Sequence, residues 1–192
     1  MKKLTSLSTF TDEQLIEFYH NDSNQAAIQE LCSRYQNKIF SKCYSMTKSR
    51  EVAEDLRQDV MIKIIDKLSQ FKGLSSFSTW VYSITYNYCI EHLRKYKRIR
   101  FDDLKDLLDI PEEVADEEVQ EVFQLRLDRI NFLLELLKPE DKAILLMKYQ
   151  EGFDLKRIME VSEIAGLSAA KMRLNRAKNR LVALYNKFLL ES

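Results

Sequence analysis

Apolar residues recur at helical spacing along most of the chain, and the clearest run lies between Glu51 and Arg100. There Val52, Leu56, Val60, Ile64 and Leu68 return every fourth residue, flanked by Ala53, Met61 and Ile65. That stripe predicts an amphipathic helix. At about 100° per residue, the opposite face carries Asp55, Gln58, Asp59, Ile62 and Asp66. An isoleucine among acids and an amide, turned away from the core, suggests a second contact surface. A solvated face with one stray apolar residue is the plainer alternative. A second helix is expected after a loop, Lys72 to Ser78, and it closes on Arg94, Lys95, Lys97, Arg98 and Arg100.

Upstream, residues 1 to 10 read as a lead-in. Thr11-Asp12-Glu13-Gln14 has the form of a capping box, with Thr11 as N-cap and Gln14 reaching back. A short helix with Leu15, Ile16, Phe18 and Tyr19 should follow and stop near Asn21-Asp22-Ser23, which can also cap the next helix. Ile28, Leu31, Tyr35, Ile39, Cys43 and Met46 then step by three or four, predicting a long amphipathic helix. Downstream, a new period begins at Val122, with Phe123, Leu127, Ile130, Leu133, Leu134 and Leu137 on one side. Lys138-Pro139-Glu140-Asp141 fits a helix start, the proline in the first turn and the acids facing the dipole. That helix carries Ile144, Leu145, Met147 and Tyr149 and should end at Gly152. A short helix, Asp154 to Val161, a turn, and a last helix from Ser168 complete the pattern. Ala170, Leu174, Ala177, Leu181, Leu184 and Phe188 give the last helix its apolar side.

With only 3 Gly and 2 Pro, the chain has little material for hairpins, so an all-α fold is expected. Its 192 residues suffice for one average domain or two small ones. A zero net charge looks wrong for a nucleic-acid binder, but the charge is segregated. From Phe101 to Glu121 there are ten acids and one base, Lys105, and Pro111 breaks any helix through it. This stretch reads as an acidic linker, 101–121, between helical domains at 11–100 and 122–190. Cys32, Cys43 and Cys89 are odd in number and form no CxxC pair, so three buried thiols are expected rather than disulfides or a zinc site. No apolar run of membrane-spanning length and no signal peptide is present, which leads us to expect a cytoplasmic protein without membrane insertion.

Candidate catalytic chemistry is thin. There is no GxxxxGK loop and no HExxH. Glu17 and His20 form an ExxH, but a di-iron bundle needs two such motifs, and His92 has Cys89 three residues before it. Neither an enzyme nor a cofactor or metal site is expected.

Nucleic-acid chemistry is better represented. Phe71, Phe77, Trp80, Tyr82, Tyr86 and Tyr88 are six of the twenty aromatics, and the basic run from Arg94 follows them. Rings beside cations suit bases and phosphates, although aromatic helices more often build cores. Between Lys171 and Lys187 the exposed side of the last helix holds six bases and no acid. A short helix, a turn and a basic helix read as helix-turn-helix.

Two stretches carry a resemblance. Ala53-Glu54-Asp55-Leu56, Gln58-Asp59-Val60, Phe71, Ser76-Phe77, Trp80, Tyr82, Ile84, Asn87, Ile90 and Leu93-Arg94 resemble region two of bacterial sigma factors of the extracytoplasmic-function type. Lys171, Arg173-Leu174, Arg176-Ala177 and Leu181 fall on the recognition-helix positions of region four of the same family. The likeness spans roughly residues 12 to 190 and lacks region three, as the type requires. One departure stands out. Ser162 to Ala169 is one residue longer than the family's turn, and Glu163 stands where a glycine is usual; Gly166, three residues later, is expected to do that job.

The resemblance implies a promoter-specificity subunit whose partners are RNA polymerase core and promoter DNA, with an anti-sigma factor as a partner the type admits. It assigns Asp55, Gln58, Asp59 and Ile62 to the polymerase core. It assigns Lys72, Ser75, Ser76, Asn87, Arg94, Lys95, Lys97 and Arg98 to the minus-ten element. Ser168, Lys171, Met172, Arg173, Asn175, Arg176 and Lys178 fall to the minus-thirty-five element. The linker would thread near the polymerase active-site cleft. A free-standing helix-turn-helix regulator leaves the aromatic-basic helix and the Asp55-to-Ile62 face unexplained. A helical interaction module leaves the segregated bases without purpose.

Overall fold

The computed structural model describes residues 7–22, 24–100 and 129–190, excepting the side chains of residues 22, 97–100, 189 and 190. The linker, 101–121, and the start of the second helical period at Val122, Phe123 and Leu127 lie outside these residues. Every regular element among the described residues is helical. The chain groups into two units, Met1–Cys89 with Glu160–Glu163, and Ile90–Met159 with Ile164–Ser192.

The first unit holds α1 (Asp12–Asp22), α2 (Gln25–Thr47), α3 (Arg50–Leu68) and much of α4 (Phe77–Arg100), after a 3-10 turn at Leu7–Thr9. The capping box forms: the Gln14 N–H donates to Thr11 Oγ1 at 3.2 Å, and the Thr11 N–H donates to Gln14 Oε1 at 2.8 Å. Because α1 runs through Asp22, the cap of α2 falls later than the Asn21-Asp22-Ser23 expected. Asn24 takes that role, its Oδ1 accepting from the N–H groups of Ala26 (3.0 Å) and Ala27 (3.4 Å). Lys48 then adopts a left-handed φ of 55°, and Ser49 caps α3 at once through the Val52 N–H at 3.3 Å. The tight turn lays α3 back along α2.

The stripes predicted from spacing are the ones that pack. α2 buries Leu31, Tyr35, Ile39, Cys43 and Met46, and α3 buries Ala53, Leu56, Val60, Ile64 and Leu68. α4 adds Phe77, Val81, Tyr86 and Cys89, together with Thr85, whose hydroxyl donates to the Val81 carbonyl at 2.8 Å. Each large apolar side chain removed from water contributes about 1.5–3 kcal/mol. Ile65 departs from its expected place beside the stripe and is 39% exposed. Of the three thiols expected to be buried, Cys43 and Cys89 are, with their Sγ atoms 3.7 Å apart; Cys32 is half-buried.

Arg34 ties the amino-terminal turn to α2. Its guanidinium donates to Glu30 (2.8 Å), to Asp12 (3.0 Å) and to the carbonyls of Leu7 (3.1 Å) and Ser8 (3.0 Å). The buried Tyr35 hydroxyl donates to the other oxygen of Asp12. Burial first, and then the Asp12 carboxylate, hold the Tyr35 phenol well above its usual range. A raised phenol favours the folded state fully below the unfolded pKa of about 10, and that contribution is lost as pH climbs beyond it. Tyr35→Phe should therefore flatten the alkaline fall in stability, read from denaturant midpoints between roughly pH 8 and 11. An unchanged alkaline slope would show that this phenol does not titrate with unfolding.

The second unit contains α5 (residues 129–136), α6 (Pro139–Leu145), a π-helical turn at Leu146–Gln150, most of α7 (Leu155–Val161) and α8 (Leu167–Leu190). Pro139 starts α6, and Glu140 and Asp141 fill its first turn as expected. Leu133, Leu134 and Leu137 are buried, whereas Ile130 is 46% exposed, contrary to its predicted side. Tyr149 is likewise a correction, at 66% exposed. The wider π turn rotates it away from the face set by Ile144 and Leu145. Gly152, at φ 68°, ends the segment as expected. Asp154 caps α7 by accepting from the Arg157 N–H at 2.7 Å. α8 packs on α6 through Ala170, Leu174 and Ala177, and Arg180 of α8 pairs with the buried Asp141 of α6.

Candidate functional site

Three surfaces gather the residues singled out in the sequence. On α3, Asp55, Gln58, Asp59 and Ile62 are all exposed, opposite the buried Leu56, Val60 and Ile64. Steps of three, one and three residues place them along one side of the helix. Ile62 is 58% exposed, and Ile65, one turn on, extends the apolar patch. The sequence reading missed Ile65 because a four-residue repeat puts it at the margin of either face. Asp59 also accepts from the Tyr88 hydroxyl at 2.8 Å, while Lys63 sits 4.9 Å from that ring's centroid. This acid therefore joins α3 to α4 as well as facing outward.

The second surface is the loop 69–76 with the outer side of α4. Its base is clamped by rings. Phe71 meets Phe77 edge-on at 5.5 Å and Trp80 at 5.2 Å; Phe77 stacks on Trp80 at 5.6 Å and meets Tyr35 at 5.3 Å. Gly73 turns the loop at φ 68°. Ser76 ends it, two residues before the expected Ser78, because its hydroxyl caps α4. It accepts from the Thr79 N–H at 3.3 Å and donates to Thr79 Oγ1 at 2.9 Å. Lys72 is exposed and Ser75 half-buried. Asn87 is exposed, with its amide 3.5 Å from the Ser83 hydroxyl one turn earlier. Arg94 and Lys95 are exposed, Lys95 with Glu91 at 2.8 Å; the side chains of Lys97 and Arg98 lie outside the description.

The rings offered as stacking surfaces need correction. Phe77, Tyr82 and Tyr86 are core residues, and Trp80 closes on Phe71. The exposed ring among the bases is Tyr96, 49% exposed, which the sequence reading passed over. Leu74 was also missed, though a leucine beside a loop glycine, without apolar partners at helical spacing, is a readable signal.

The third surface is the start of α8. Lys171, Met172, Asn175 and Arg176 are exposed opposite Ala170, Leu174 and Ala177; Ser168 and Lys178 are exposed, and Arg173 is half-buried. Between α7 and α8 the chain needs two left-handed residues, Glu163 at φ 52° and Gly166 at φ 97°. Gly166 thus does not replace the glycine role at Glu163 but joins it, and the helix starts at Leu167, one residue before the expected Ser168. Among the described residues no helix is long and apolar enough to cross a membrane, and no cluster of three metal-ligating side chains occurs.

Comparison with known proteins fits this arrangement. The Sigma-70 region 2 profile matches residues 31–99, which take in α3, the clamped loop and most of α4. RNA polymerase sigma factor YlaC of Bacillus subtilis is 25% identical over 163 residues, covering 84% of this chain and 90% of that protein. ECF RNA polymerase sigma factor SigW of the same organism is 28% identical over 166 residues, covering 82% and 88%. Among solved structures, CnrH in complex with the cytosolic domain of CnrY superposes with a TM-score of 0.60 at 18% identity, covering 92% of this chain and 97% of that one. The sigma factor RpoE in complex with the anti-sigma factor NepR from Bartonella quintana gives 0.55 at 20%, covering 82% and 96%. At these identities the two structures speak for the helical fold. Residues 31–99 thus match the Sigma-70 region 2 family, and over most of its length the chain is similar to RNA polymerase sigma factors, several of them of the extracytoplasmic-function type.

Proposed function

We propose that this protein binds RNA polymerase core and directs it to a set of promoters, where it takes part in recognition and strand opening. The observation that carries the reading is that the region two match spans both the exposed α3 stripe and the clamped loop leading into α4. Asp55, Gln58, Asp59 and Ile62 dock on core, the isoleucine supplying apolar burial and the acids orientation. Lys72, Ser75, Ser76 and Asn87 receive an unstacked base of the minus-ten element, and the bases from Arg94 to Arg98 hold phosphates. Ser76, already committed to capping, acts by shaping the loop. At the minus-thirty-five element, Lys171, Met172, Asn175 and Arg176 face base edges, and Ser168, Arg173 and Lys178 grip the backbone. Nucleotide addition belongs to the polymerase, so the protein is not itself an enzyme, and it works where polymerase and chromosome are, in the cytoplasm. The domains that carry these roles are 11–100 and 122–190, joined by the acidic 101–121. An anti-sigma factor, such as the one seen with RpoE, is a further partner for this chain.

The test is transcription from a promoter library by core polymerase plus this protein, with start sites mapped. One shared upstream pair of elements is expected. On such a promoter Arg176→Ala should cost about 1–3 kcal/mol and relax specificity, whereas Lys178→Ala should weaken all sequences alike and lower the salt slope by about one. Failure to initiate with core, together with tight sequence-specific duplex binding by the protein alone, would instead favour a free-standing regulator.

A further inference from the structure

Leu74 is 92% exposed, the largest value among the exposed large apolar residues of the described chain. It stands at the tip of the loop 69–76, between Gly73 and Ser75. The loop that carries it is anchored at both ends: Phe71 is held by Phe77 and Trp80, and the Ser76 hydroxyl is fixed as the cap of α4. Gly73 makes the turn at φ 68°, with nothing within 4 Å of where a side chain would begin. An aliphatic side chain is thus presented to solvent on a pinned turn. Its flanking groups are polar: Lys72 is exposed on one side, and the Ser75 and Ser76 hydroxyls lie on the other.

Resting on the function proposed above, we infer that Leu74 is an apolar wedge. It fills the step vacated when a base of the minus-ten strand is extruded, covering the face of the neighbouring base. Opening a duplex exposes apolar base faces to water, and proteins that kink or unstack DNA commonly insert an aliphatic side chain there. A leucine at the tip of a turn has the reach and shape to do so, and Lys72 can meet the adjacent phosphate. The Ser75 hydroxyl and Asn87 would read the extruded base, while Leu74 would stop the stack from closing behind it.

The experiment uses holoenzyme assembled from core polymerase and the full chain, on a promoter recovered by transcript mapping. 2-Aminopurine in the minus-ten element reports strand opening. Leu74→Ser is expected to slow or reduce opening on the order of tenfold, the loss expected when one aliphatic side chain is no longer buried, and Leu74→Phe to retain it. Because the side chain is almost wholly exposed, thermal melting and co-purification with core should not change. On a template with the minus-ten element already unpaired, Leu74→Ser should regain most of its activity, which a structural defect would not allow. Opening by Leu74→Ser at the wild-type rate overturns the wedge alone. A wild-type holoenzyme that opens no promoter overturns the parent reading and the wedge with it.

Discussion

Ile62→Glu should abolish co-purification with RNA polymerase core while leaving helix content and melting temperature unchanged. Ile62 is 58% exposed on the side of α3 opposite the buried Val60 and Ile64, so the folded chain loses little when it changes. Surface substitutions of this kind usually stay within about 0.5 kcal/mol. The interface tells differently. An apolar residue ringed by Asp55, Gln58 and Asp59 has the arrangement of a buried anchor with a polar rim. Losing an anchor costs about 2 kcal/mol or more, and a carboxylate buried without a partner adds several more. Together these amount to at least a hundredfold or so in affinity. Asp55→Lys should weaken binding less, as a rim charge does. It is a cleaner probe than Asp59→Lys, which would also cut the hydrogen bond from Tyr88. An Ile62→Glu protein that unfolds would mean α3 packs by this face; one that still co-purifies would move the docking surface elsewhere.

The parts of the molecule that could be read from sequence are those governed by local rules. The capping box at Thr11 and Gln14, the proline start at Pro139 and the turn at Gly152 each depend on a few adjacent residues, and each forms. The α2 and α3 stripes are equally local, because a period near four decides which side is buried. Misplaced residues depend on things a helical wheel does not contain. Tyr149 leaves its face because the chain adds a residue to one turn after Leu145. Ile65 sits at the edge of a stripe, where the reach of the opposing helix decides burial. The aromatic cluster was legible as a cluster but not as a clamp, since Phe71 meets Phe77 and Trp80 only after the loop has folded back. Of the candidate site, exposure on α3 and α8 was readable from periodicity. The second duties of its residues, Asp59 with Tyr88 and Ser76 as a cap, were not, because each needs a partner set by tertiary or loop geometry.

That clamp sets the largest stability effect expected in the chain. Phe77 is 1% exposed and touches Tyr35, Phe71 and Trp80. Phe77→Ala removes a ring from the junction of α2, the loop and α4 and leaves a void the surrounding helices cannot close without moving. Truncations of this kind cost about 3–5 kcal/mol, a large share of the 5–15 kcal/mol or so that stabilises a typical domain. For a unit of this size, each 1 kcal/mol lowers the melting temperature by about 4–8 °C, so a fall of at least 12 °C or so is expected. Trp80 is the only tryptophan and lies in this cluster, so its fluorescence reports the transition directly. Phe77→Leu, which keeps most of the volume but loses the ring contacts, should cost less than half as much. The loop should suffer before the unit unfolds, since Phe71 loses one of its two ring partners. At a temperature where Phe77→Ala remains folded, core binding through α3 should persist while promoter opening falls. A drop in melting temperature of only a few degrees would mean that the rings merely neighbour one another, and that something other than this cluster holds the loop in place.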